Sequence, residues 1–100
     1  MTKQDIKENI RLSLEKNPYL DKIRKVSLFG SYLHGDESNE SDVDLLVEFA
    51  KPVGFFSISR IERDIEGRVG KRVDLVTPDS LSKYFRDQVI NEAELIYEKR

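Results

Sequence analysis

Apolar residues recur along this chain with two periods, and the change of period marks the elements. Ile6, Ile10 and Leu14 fall at helical spacing, with Lys7 and Ser13 outward. Thr2 stands at the expected helix N-cap, and Asp5 is placed to reach back to it. Asn17-Pro18 ends that helix. A strand is expected at about Val26 to Phe29, stopped by Gly30. Ser31 to His34 fits one helical turn closed by Gly35. Residues 36–41 are polar and acidic without an apolar anchor, and read as a mobile loop. From about Asp42 to Phe49 the period becomes two. Val43, Leu45, Val47 and Phe49 then share one face, which must be core, and Asp42, Asp44, Leu46 and Glu48 share the other.

Lys51-Pro52-Val53-Gly54 is a turn. Ile58, Ile61, Ile65 and Val69 then mark an amphipathic helix from about Phe56 to Val69, stopped by Gly70. Arg72 to Thr77 reads as a third strand, followed by Pro78. Asp79 or Ser80 is expected to cap a short helix containing Leu81, Tyr84 and Phe85. A further helical stretch takes Val89, Ile90 and Ala93, and Leu95-Ile96-Tyr97 forms a short last strand. This order predicts an α+β fold: a small mixed β-sheet with helices packed against it.

Composition narrows the function classes. One hundred residues are expected to form one domain, residues 1–100, large enough for a core without staples. There is no cysteine, hence no disulfide framework and no thiolate metal site. No apolar run approaches the ~20 residues of a membrane span, and the first residues show no apolar targeting region. A cytoplasmic protein is the default expectation. The formal charge of −2 argues against general nucleic-acid binding, which needs a basic surface.

The candidate chemistry lies in two stretches. In the first, Gly30-Ser31 makes a turn after an apolar strand, and Asp42 and Asp44 open the next strand. Backbone N–H groups and a hydroxyl at such a turn suit a phosphate. Two carboxylates projecting together repel each other unless a cation lies between them, and oxygen-only ligands point to magnesium or manganese. In the second stretch, Asp74 sits between apolar Val73 and Leu75, so it also faces away from the core. Taken singly, these are a turn, a solvated strand start and a surface aspartate beside Lys71 and Arg72. The ordered set on these strands is what points to a site.

Gly-Ser, ten residues, Asp-x-Asp, then a strand carrying a third Asp resembles the nucleotidyltransferase superfamily of DNA polymerase beta. The likeness runs from about Lys25 to Tyr97 and includes Lys71 to Pro78 and Glu92 to Glu98. The chain looks most like the minimal nucleotidyltransferases (MNT), often paired with HEPN-domain partners in toxin–antitoxin modules. The resemblance implies the polymerase beta-like catalytic core. It implies Asp42 and Asp44 holding two Mg2+ ions (Mn2+ being possible), Asp74 holding the catalytic one and serving as base, and Gly30 and Ser31 holding phosphates of ATP. It implies AMP transfer to a hydroxyl, a tyrosine of a HEPN-type toxin, so that the chain is an antitoxin in a hetero-oligomer. The competing readings are a non-catalytic antitoxin that covers its partner, and a nucleotidyltransferase for a small hydroxylated molecule.

The chain departs from the family at one place. Where the family commonly has Gly-Ser-x-Ala-Arg-Gly, Leu33 and His34 replace the alanine and arginine. A largely neutral His34 would contact phosphate more weakly than arginine. Tyr32 is expected to pack rather than stack on a base, and Glu48 to be solvated or ion-paired.

Overall fold

The computed structural model describes residues 1–35 and 41–100, so the expected loop over 36–41 lies, apart from Ser41, outside the described residues. Helix α1 spans Lys3–Glu15 and buries Ile6, Ile10, Ser13 and Leu14. Its capping box is formed: the Asp5 N–H donates to Thr2 Oγ1 and the Thr2 N–H to Asp5 Oδ2, both at 3.0 Å. These bonds favour the charged carboxylate and hold Asp5 below its ordinary pKa.

A short 3-10 turn, Leu20–Lys22, leads into strand β1, Ile23–Phe29. The strand starts three residues earlier than the alternation suggested. A register shift between Ile23 and Lys25 interrupts the period, while Ile23 itself stays fully buried. Helix α2 is the single turn Ser31–His34, closed by Gly35 as expected. Strand β2 runs Val43–Phe49 and helix α3 runs Phe55–Val69, with Gly70 in the left-handed cap. Strand β3 is Val73–Val76, helix α4 is Arg86–Glu92 and strand β4 is Glu94–Glu98.

One expected element does not form. The segment holding Leu81, Tyr84 and Phe85 is not helical. Thr77 heads a 3-10 turn, Pro78–Ser80, in its place. The Ser80 hydroxyl donates to the Thr77 carbonyl (2.8 Å) and accepts from the Thr77 N–H (3.2 Å), so it is spent on the turn. Tyr84 and Phe85 are then exposed, and a short helix without a buried face is not stable.

The sheet has the order β3-β2-β1-β4. β1 is antiparallel to β2 and β4, whereas β2 and β3 are parallel, joined by the crossover helix α3. Val26, Leu28, Val43, Leu45, Val47 and Ile96 pack in one core with Ile6, Ile10, Leu14, Ile61 and Ile65. The architecture is therefore the mixed sheet with packed helices that the pattern predicts. Near its end α3 carries an exposed glycine, Gly67. It costs about 1 kcal/mol relative to alanine in a helix interior, and among the described residues no atom beyond its own stretch of helix lies within 4 Å of where its Cβ would be. No helix among the described residues is long and apolar enough to cross a membrane.

Candidate active site

The parallel pairing of β2 with β3 sets Asp44 opposite Asp74 in the register. Both lie on the sheet face away from the Val43 and Leu45 side chains, because side chains alternate along a strand. The antiparallel pairing with β1 sets Phe29 opposite Asp44, which brings Gly30 against the Asp44 side chain. Gly30 has φ 79° and ψ −154°, a conformation open in practice only to glycine. A Cβ at Gly30 would stand 2.2 Å from Asp44 Oδ2. The Asp44 carboxylate thus rests directly on the Gly30 backbone, which explains glycine on both steric and conformational grounds.

Asp44 carries the electrostatic signature of the site. Partial burial raises its pKa first, and the charges of Asp74 and Asp42 raise it further. Asp42 stands just outside β2 rather than starting it. Its Oδ1 lies 3.3 Å from Arg72 Nε, an exposed pair. The Arg72 carbonyl also accepts the Val43 N–H at 2.8 Å, so one residue ties the starts of β2 and β3 together. Among the described residues, no three carboxylates or histidines converge on one cation position.

Two glutamates fix the strand that carries Asp74. β3 is an edge strand, with backbone donors turned away from β2. Glu66 Oε2 accepts the Val73 N–H at 2.8 Å, and Glu62 Oε2 accepts the Leu75 N–H at 2.9 Å. Glu62 and Glu66 are one helical turn apart on α3, so they meet alternate N–H groups on either side of Asp74.

The Gly30-Ser31 turn is closed by the Leu33 and His34 N–H groups donating to the Gly30 carbonyl, at 3.1 and 3.3 Å. Tyr32 is buried in the core, as a packing residue should be, with Lys71 Nζ 5.6 Å from its ring centroid. His34 is exposed, and its Nε2 lies 3.2 Å from Glu92 Oε2 on α4. Glu48 stands opposite Lys25 at the far end of β2. The structure therefore brings Gly30, Asp44 and Asp74 together, keeps Asp42 beside them on Arg72, and puts Ser31 at the head of α2. Sequence reasoning missed Arg72, Glu62 and Glu66 as partners. Arg72 was signalled by its spacing of two from Asp74. The glutamates were signalled only by facing one way on an otherwise amphipathic helix.

Residues 8–100 match the family described as polymerase beta, nucleotidyltransferase. The chain belongs to that nucleotidyltransferase family. It is 36% identical over 70 residues to the protein adenylyltransferase MntA of Thermococcus cleftensis, covering 70% of this chain and 71% of MntA. A crystal structure of a toxin–antitoxin with AMP-PNP matches at TM-score 0.74 and 25% identity, over 94% of this chain and 74% of that one. A complex of tri-AMPylated Shewanella oneidensis HEPN toxin with MNT antitoxin matches in fold, at TM-score 0.69 and 23% identity, over 98% of this chain and 74% of that one. The fold is that of the minimal nucleotidyltransferases, and the relative MntA bears the name protein adenylyltransferase.

Proposed function

We propose that this chain transfers AMP from ATP to a tyrosine hydroxyl of a HEPN-type toxin in the cytoplasm, and so acts as its antitoxin. The observation that carries the reading is the Gly30–Asp44–Asp74 cluster: two carboxylates in register on neighbouring strands, one seated on a glycine and raised in pKa by its burial and then by the charges of Asp74 and Asp42. A purely structural edge has no reason to set two carboxylates opposite each other in register. The relatives named adenylyltransferases and the AMP-PNP and AMPylated complexes support the nucleotide and the acceptor class.

An all-carboxylate donor set fits Mg2+ or Mn2+. Asp42, Asp44 and Asp74 are the residues that would hold the ions. Bound there, divalent cations would offset charge on the triphosphate and on the attacking and leaving oxygens. Asp42 has to leave Arg72 to join that set. The exposure of the Arg72 pair makes this cheap, since such pairs contribute about 0–1 kcal/mol. Gly30 and Ser31 are proposed to seat the β and γ phosphates. Asp74, on the exposed edge of the sheet, takes the proton of the incoming hydroxyl. The oxygen bonds to the α-phosphorus, the bond to the β-phosphate oxygen breaks, and pyrophosphate leaves. His34 bound to Glu92 does not replace the family's arginine at the phosphates in this reading.

The test is intact-mass measurement of the partner co-expressed with the wild-type chain and with Asp42→Asn/Asp44→Asn. Added AMP mass with the wild-type chain alone is expected. Equal added mass with both chains would sink the enzymatic reading, and toxin silenced by both with no added mass would favour an antitoxin that works by binding.

A further inference from the structure

A groove lies away from Asp44 and Asp74, on the two helices that cover the core. It is about 730 Å³, between α1 and α3. Its walls repeat at helical spacing: Asn9, Ser13 and Lys16 from α1, and Arg60, Asp64, Gly67 and Arg68 from α3. Asp64 is already engaged, by Arg60 Nε at 3.2 Å and by the buried Asn17 Nδ2 at 3.1 Å. Arg68 gives only its Nε, to Asn9 Oδ1, and no carboxylate pairs with Arg68 or Lys16 among the described residues. The groove is therefore cationic in a chain whose net charge is −2.

Gly67 in its lining supplies an independent observation. Gly67 weakens α3, and among the described residues no atom beyond its own stretch of helix lies within 4 Å of where its Cβ would stand. A helical glycine open to a groove is what the close approach of another backbone requires. The lining also selects among anions. It has no aromatic ring on which a base could stack, and its carboxylate, Asp64, repels a run of phosphates.

We propose that the α1–α3 groove is a docking site for an acidic polypeptide segment of a partner protein. Carboxylates of the segment meet Lys16 and Arg68, and its backbone passes over Gly67. The site is separate from the nucleotide-binding face and does not depend on the function assigned there.

The test uses the full chain and a short fluorescein-labelled polyglutamate peptide, with polyglutamine and a short single-stranded RNA as comparisons. Saturable binding of polyglutamate is expected, with amide NMR shifts at Ser13, Gly67 and Arg68. Lys16→Glu with Arg68→Glu should weaken it at least about tenfold. Gly67→Leu is the discriminating variant. Leucine is the better helix former, so the melting temperature should rise while peptide binding is lost. ATP binding should be unchanged in both variants. Polyglutamine or RNA binding as tightly as polyglutamate, shifts confined to other surfaces, or undiminished binding by the Gly67→Leu chain would each overturn the proposal.

Discussion

Strand β2 shows two regions of the molecule side by side. Towards α1 and α3 it sends Val43, Leu45 and Val47, all at most 1% exposed. Towards the other face it sends Asp44 and Leu46, and the Asp44 carboxylate feels the charge of Asp74 opposite it and of Asp42 nearby. The first set gains from every contact. The second holds like charges together and loses stability by it. The same backbone can serve both because a strand keeps the two faces apart at each residue. The core holds the sheet rigid, and the rigid sheet keeps the carboxylates where repulsion alone would part them.

The largest expected effect comes from removing charge on the chemical face. With transfer lowered by several kcal/mol, Asp44→Asn should lose about a thousandfold or more of AMP transfer, measured by radiolabel incorporation. The same change should leave the ligand-free chain no less stable, and slightly more so. The sign follows from the raised pKa of Asp44. A carboxyl whose pKa is higher folded than unfolded contributes stability below its ordinary value of 3.8, and loses that contribution as pH rises through the folded value. Thermal melts from about pH 3 to pH 7 should show this loss in the wild-type chain and not in Asp44→Asn. The gain stays within about 1 kcal/mol, because Asp44 is partly solvated and its repulsion is screened. A marked fall in the melting temperature of the ligand-free variant would break the contrast between the faces.

The opposite substitution is on the neighbouring residue. Leu45 is fully buried, and Leu45→Ala should destabilise by about 2–5 kcal/mol in urea unfolding, through lost transfer energy and the cavity left behind. At temperatures where the variant is folded, nucleotide binding should persist. Two adjacent residues would then separate stability from chemistry.

Gly30→Ala lies between these cases. It places a methyl against Asp44 and forces a glycine-only conformation on alanine, with about 1–3 kcal/mol of strain. Relief by displacing Asp44 would lower transfer more than stability, and comparing the melt with the transfer rate checks this.

The smallest effect is expected at the Glu62 and Glu66 bonds that hold β3. Removing either acceptor leaves a backbone N–H at the sheet edge without its partner, a loss of about 1 kcal/mol where water can replace it. Glu66→Ala should speed hydrogen exchange at Val73, and Glu62→Ala at Leu75. Glutamine at either place keeps a carbonyl acceptor and should restore protection. Protection unchanged in the alanine variants would show that these bonds do not hold Asp74 in place.

Local chemistry was legible in the sequence wherever a few neighbouring residues settle the outcome. Thr2 and Asp5 form their capping box because the partners are three residues apart. Alternation put Asp44 and Asp74 on the face away from the core because the pleat inverts each successive side chain. The single turn Ser31–His34 ended at Gly35 as its spacing required. Where a helix lacked a face to bury, as at Leu81, Tyr84 and Phe85, propensity alone misled.

Tertiary structure decided what depends on residues distant in sequence. Only the parallel register sets Asp44 against Asp74, and only the antiparallel register with β1 seats Asp44 on Gly30. The Arg72–Asp42 pair, the hold of Glu62 and Glu66 on β3, and the groove over Gly67 likewise appear only when α3 folds back across the sheet. The physical reason is that periodicity states which way a side chain points, whereas strand order and helix packing state what it meets.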